Sequence, residues 1–261
     1  MTLEIPPAQT AHIASGDPAD LPYGGACAWR LSADAHCAAQ ARSVLGSVMQ
    51  ALAFPTATIE DGALAVSELA TNAFRYATGG PCPAGLIAAP ELWVWARTAP
   101  RLELVVAVFD PAHGSAPEMW IDDLMNEHGK GLGIVEAIVS AWGYRRTRSR
   151  LASQPIPGKA VWFTLPLPPS WPRPPQRIPP AVAAQHLVAN LAQRGIAATR
   201  HSEATGISVI TTAWINVWVC HAAFSWTISG GLHHRHPLID LQEATEHVVR
   251  VFDESRCPDR P

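Results

Sequence analysis

Apolar positions recur with two different periods along the chain and divide it into helices and strands. Ala41, Leu45, Val48 and Leu52 follow one another at 4-3-4 spacing, which predicts a helix over about 34–52. A second helix is expected over about 57–77, where the run AVSELATNAFRYA (65–77) is mostly apolar. Short apolar runs predict strands at about 28–31, 91–97, 102–109, 144–148 and 159–165. TGGPCPAGLIAAP (78–90) reads as a loop by its Gly and Pro content. A long loop over 111–128 then meets GKGLGIVEAIVSAWGY (129–144), a Gly-rich turn running into an apolar helix. Helices on one face of a mixed, mostly antiparallel sheet make this half an α+β sandwich.

The proline-dense run PLPPSWPRPPQRIPP (166–180) marks a boundary. Proline fixes φ and biases the preceding residue toward extended backbone, so a semi-rigid spacer is expected, with the linker over 167–180. Beyond it, a helix over about 180–194, strands at about 199–202, 206–213 and 216–228, and a last helix over 241–252 predict a small C-terminal α/β unit of helices and strands over 181–261. Asp240, with Glu243 three residues on, reads as an N-cap pair for that last helix. The stretch 204–232 holds no Asp, Glu, Lys or Arg and is long enough to raise a membrane span. Thr211, Thr212, Asn216, His221, Ser225 and Thr227 are spread through it, however, and its β-branched and aromatic residues point to buried strands instead.

Composition narrows the setting. A chain of 261 residues, 48 % hydrophobic, supports one large core or two smaller ones. A net charge of −3 offers no broad basic field for nucleic acid or an anionic membrane. The five cysteines, Cys27, Cys37, Cys82, Cys220 and Cys257, are scattered and odd in number, which suits a reducing cytoplasm better than a disulfide framework. Residues 1–25 lack the basic start and apolar core of a secretory leader and read as a flexible tail.

Three features carry candidate chemistry. Glu68 and Asn72 lie four residues apart, hence on one face of a helix crowded by Leu64, Val66, Leu69, Ala70 and Ala73. An amide oxygen is a hard ligand suited to Mg²⁺, and a carboxylate can orient or deprotonate a hydroxyl; the alternative is a surface pair on an amphipathic helix. Asp110 ends the buried run 104–109, where a carboxylate can accept the amino group of adenine; a turn-forming Asp before Pro111 is the alternative. In GKGLG, Gly129, Gly131 and Gly133 free backbone N–H groups to approach phosphate at a helix entry, and Lys130 adds a charge. The spacing fits neither GxxxxGK[ST] nor GxGxxG, and a plain Gly-rich helix start remains open.

Order and spacing bring these pieces together. The helix with ELATNAFRYA, the strand ending VFDPAHGSAP, the loop, GKGLGIVEAIVSAWGY and GKAVWFTLPL, over roughly 26–167, resemble the GHKL (Bergerat-fold) ATPases, and more closely their anti-sigma-factor serine kinase branch of actinobacterial type. The resemblance implies a Bergerat-type ATP-binding domain over 26–166 with ATP and Mg²⁺ as cofactors. Glu68 would match the general base or water-orienting residue, Asn72 the Mg²⁺ ligand and Asp110 the adenine-binding acid. Gly129, Lys130, Gly131, Leu132 and Gly133 would match the glycine block beneath an ATP lid formed by 111–128. DPAHGSA replaces the family's D-x-G-x-G, so Gly114 is a loose match. GKAVWFTL lacks the threonine that supports the adenine-binding acid; Ala160 lies where it is expected. The resemblance implies a cytoplasmic protein serine/threonine kinase or anti-sigma factor whose partner is a sigma factor or its antagonist, with a homodimer possible and neither nucleic acid nor membrane bound directly. The alternative is a module that holds nucleotide and sequesters a regulator without transferring phosphate.

Other features have plainer readings. His233, His234 and His236 of HHRH invite a metal, although no cysteine or carboxylate cluster accompanies them before Asp240. Trp214, Trp218 and Trp226 read as core rather than as a recognition platform. Arg145, Arg146, Arg148 and Arg150 read as a solvated edge strand, or as a contact for an acidic partner.

Overall fold

The computed structural model describes residues 14–77, 89–111, 130–172, 178–203, 206–228 and 231–256. Ten short extended runs and one two-residue pairing form two antiparallel sheets. The first holds β1 (Ala14–Ser15), β2 (Ala26–Arg30), β3 (Glu91–Arg97), β4 (Glu103–Asp110), β5 (Ala141–Arg148) and β6 (Pro157–Pro166), in the order β1-β2-β3-β4-β6-β5. All its described pairings are antiparallel. Residues 14–25, expected within a flexible tail, instead supply β1 and a 3-10 turn over Pro18–Tyr23 that buries Leu21.

Three helices cover one face of this sheet: α1 (Cys37–Ala51), α2 (Thr56–Ala77) and α3 (Lys130–Ile138). The apolar stripe Cys37, Ala41, Leu45, Val48 and Met49 of α1 packs with Ala65, Val66, Leu69, Ala70 and Ala73 of α2 over Leu92, Val94, Leu104, Val106 and Val108. Each large side chain so buried stabilises the fold by about 1.5–3 kcal/mol. α1 starts later than its apolar pattern suggests, because the Asp34 carboxylate accepts from the His36 backbone N–H and holds 34–36 as a turn.

The central strands β3 and β4 are buried along their whole length, so their second face is covered too. That face carries Trp93, Trp95, Val105, Ala107, Phe109 and Ala160. Its cover comes from the C-terminal unit, built of α4 (Pro180–Gln193), β7 (Thr199–Ser202), β8 (Ser208–Thr211), β9 (Asn216–Cys220), β10 (Ala223–Thr227), β11 (His233–Pro237) and α5 (Leu241–Arg256). The five strands form a second sheet, β11-β10-β9-β8-β7, over a core that includes Leu187, Leu191, Val217, Phe224, Trp226 and Val248. Among the described residues no helix is long and apolar enough to cross a membrane, and the uncharged stretch forms strands, as its composition predicts.

α5 docks on the first sheet through charge. Glu246 accepts from Thr147 Oγ1 at 2.7 Å, Arg150 Nη2 at 2.9 Å and Arg194 Nη2 at 2.6 Å. Glu243 accepts from Trp95 Nε1 at 3.1 Å and Arg145 Nη1 at 3.3 Å. Asp253 takes the Arg148 guanidinium. Arg150 also lies over the Trp93 ring at 4.8 Å and the Trp95 ring at 5.2 Å. Burial opposes charge on Glu246, yet Arg194 and Arg150 hold its carboxyl well below the usual range. Burial likewise opposes Glu243, and Arg145 and Arg97 outweigh it. Burial and the neighbouring Arg194 charge bring Arg150 down to about 10.

Five sequence expectations change here. Arg145 and Arg148 are buried and Arg150 half-buried rather than solvated, and their acids come from the same chain; Arg146 alone of the four is exposed. Asp240 and Glu243 do not cap α5: Asp240 accepts from the Thr98 and Ala99 backbone N–H groups at 2.7 and 3.0 Å, and Glu243 reaches the first sheet. The run 216–228 is two strands, with His221 at φ 51 in the turn between them. Of the three tryptophans only Trp226 is core, while Trp214 and Trp218 are half exposed, because strand alternation sends Trp218 opposite to Val217 and Val219. The proline spacer is not free at its start either: Trp171 is buried in the first core, edge-on to Phe54.

Candidate functional site

The candidate site lies where α2 crosses the ends of β4 and β6. Alternation along β4 turns Leu104, Val106, Val108 and Asp110 toward the helices. α2 presents Leu69, Asn72 and Ala73 to the same place. A small cleft opens between them, with Val108 and Val161 as apolar walls and Asp110 and Lys159 among its polar lining. Asp110 is 2 % exposed and Asn72 half-buried. Glu68, one helical turn before Asn72, is half-buried on that side of α2. A carboxylate on a buried strand end and an amide are thus brought together from segments about forty residues apart in the chain, with a second carboxylate one helical turn before the amide.

Sheet register corrects one detail. Ala160 pairs with Phe109 and points to the opposite face, into the cluster of Trp93 and Trp95. Lys159 is the residue opposite Asp110, and its Nζ lies 3.4 Å from Asp110 Oδ2. The place expected for a supporting hydroxyl is therefore held by an ammonium. Gly158 fixes this geometry, since a Cβ there would stand 2.4 Å from the Asp110 carbonyl oxygen and 2.7 Å from the Phe109 ring. Strand periodicity carries the signal: counting by twos from Phe163, which faces the helices, selects Lys159 and not Ala160.

The glycine block is placed in part. α3 begins at Lys130, so the Gly-rich segment does enter a helix. Leu132 is buried in the first core, and Gly133 is exposed, with open space where a Cβ would stand. Gly114, Gly129 and all of the expected 111–128 lid after Pro111 lie outside the described residues, as does the side chain of Lys130.

The donors suit a nucleotide with its metal. Asp110 offers a buried acceptor to the cleft, and Asn72 offers an amide oxygen on its wall. Among the described residues no three His, Cys, Asp or Glu side chains gather to hold an ion by themselves. Mg²⁺ held here would share its shell with phosphate and water, as Mg²⁺ usually does.

HHRH is not a metal loop. It is strand β11, and alternation puts His234 and His236 on one side, where both stack on Trp226 and meet His247 edge-on. His236 Nε2 and His247 Nδ1 share a hydrogen bond at 2.9 Å. Burial, then His236, pushes His247 down to about 3, and burial lowers His234 and His236 as well. Cys27, Cys37 and Cys220 are free thiols, and burial pushes Cys27 up to about 12 and Cys37 up to about 11, which leaves both inert near neutral pH.

A search among curated proteins found no match. The model of a protein family, the histidine kinase-like ATPase domain, matches residues 31–164, which takes in α1 to β6 and the whole of the cleft. With more than half of its 261 residues matched, the chain belongs to the histidine kinase-like ATPase domain family.

Proposed function

We propose that the chain is a Mg²⁺-ATP-dependent protein serine/threonine kinase of the anti-sigma-factor kind, acting on a small antagonist protein. The observation that carries this reading is the convergence of Asp110 and Asn72 on one cleft, with Glu68 one helical turn before Asn72, in a domain of an ATP-binding family. Asp110 would accept the adenine amino group, where a buried acceptor left unpaired by the wrong base costs about 1–3 kcal/mol. Asn72 would hold Mg²⁺, which when bound neutralises charge across the phosphates. Glu68 would orient the partner's serine or threonine hydroxyl and take its proton. The hydroxyl oxygen then bonds the γ-phosphorus as the bond to the β–γ bridging oxygen breaks, and ADP leaves. Positioning and electrostatics supply most of the acceleration in such transfers.

The test is incubation of the full chain with labelled ATP, Mg²⁺ and candidate antagonist proteins, in parallel with Glu68→Ala. Label on the partner that falls by about 10²–10⁴-fold in the variant supports the assignment. Equal labelling by both forms removes Glu68 from its role. Nucleotide binding with no label transferred would favour a module that sequesters its partner.

A further inference from the structure

Lys159 is a charged group that the reading above leaves unused, and it lies on the cleft at the point where a base would be read. It is 8 % exposed, adjacent to Asp110 across the β4–β6 ladder, with Nζ 3.4 Å from Oδ2. The two side chains put a donor and an acceptor side by side between the apolar walls Val108 and Val161.

The consequence follows from the edges of the purines. Adenine presents an N6–H donor next to the N1 acceptor. Guanine presents the reverse, an O6 acceptor next to an N1–H donor. A carboxylate by itself takes the adenine donor and repels the guanine O6, which favours ATP. A carboxylate beside an ammonium serves both edges: Asp110 accepts from N6–H of adenine without help from the ammonium, whereas guanine needs both groups, Lys159 donating to O6 while Asp110 accepts from N1–H. Four rotatable bonds in the lysine stem let Nζ shift to either side of the carboxylate.

We propose that Lys159 sets the base specificity of this site and makes it accept GTP as well as ATP. This rests on the nucleotide-binding reading of the cleft. A charge-assisted hydrogen bond contributes about 1.5–3 kcal/mol, so its loss costs roughly 10- to 150-fold in affinity for the base that needs it.

The experiment is calorimetric titration of the full chain with ATP and with GTP, each with Mg²⁺, repeated on Lys159→Thr, Lys159→Met and Lys159→Arg, with circular dichroism to confirm folding. The expected result is GTP binding within about tenfold of ATP in the native chain. In Lys159→Thr or Lys159→Met the GTP-to-ATP ratio of dissociation constants rises by roughly 10- to 150-fold. Lys159→Arg, which keeps a donor there, holds the native ratio. A ratio unchanged in every folded variant overturns the proposal and leaves ATP binding standing, as does a native chain that binds ATP but takes GTP more than about tenfold more weakly. If the native chain binds neither nucleotide, the reading of the cleft falls, and the proposal with it.

Discussion

One face of the six-stranded sheet is closed by aliphatic helices, the other by a charged one. On the α1–α2 face, Ala, Leu, Val and Met interdigitate, and the cleft opens at the rim of that packing. On the α5 face, Trp93, Trp95 and Trp162 lie under the guanidinium groups of Arg97, Arg145, Arg150 and Arg194, which are bound to Glu103, Glu243 and Glu246. Dispersion packing needs only the right volume and tolerates local adjustment. A buried ionic layer needs every partner present, because each ion gave up its hydration and one left alone is strongly unfavourable. The C-terminal unit is therefore part of the ATPase domain's structure, since it supplies Glu243, Glu246, Asp253 and Arg194 to the first sheet.

The sharpest way to break this comparison is Glu246→Ala, which leaves Arg150 and Arg194 buried without their carboxylate. It is expected to cost about 3–5 kcal/mol in chemical denaturation, whereas Glu246→Leu paired with Arg194→Met and Arg150→Met recovers much of the loss. A cost of Glu246→Ala under about 1 kcal/mol would show that the layer is solvated and the contrast between the faces mistaken.

Acid separates the faces next. The folded pKa of His247 lies at about 3 against an ordinary 6.5, so the unfolded chain binds a proton that the folded chain refuses. His236 is lowered as well. Stability should fall as pH drops below 6.5, by up to about 1.4 kcal/mol per pH unit for each group. Glu243 and Glu246 are lowered carboxylates, whose contribution is present above an ordinary 4.5 and lost as pH falls through their folded values. Between pH 6.5 and 4.5 the fall belongs to the histidines, which face Glu243, Arg250 and Arg145, and is opposed by Asp240, whose carboxyl burial pushes up. Denaturation midpoints for His247→Asn should flatten in that window, and an unaltered slope would reassign it.

The smallest effect is expected on the open face of the second sheet. Trp218, 52 % exposed, should tolerate replacement by Ser within about 0.5 kcal/mol by thermal unfolding. A larger loss would mean that this tryptophan is covered in the folded protein.

Much of the site was legible in the sequence because its parts are periodic. Glu68 and Asn72 share a helix face at any i, i+4 spacing, and Asp110 falls on the inner register of an alternating strand. The arginine strip misled because charge on a strand is usually solvated, and the acids that bury it lie about a hundred residues downstream. One signal was present: Trp93 and Trp95 alternate with Leu92 and Val94, so β3 is apolar on both faces and needs two covers. Asp240 and Glu243 looked like a cap because capping is local, and stronger partners were supplied from across the fold.

Local pattern by itself determined the helices, most of the strands and the order of blocks that marks the ATPase domain, since periodicity is a property of neighbouring residues. Tertiary structure alone decided that Lys159, and not Ala160, stands opposite Asp110, because register is set by pairing between strands. It also decided that the second face of the sheet is sealed by α5, since charges leave water only where their partners are already in place.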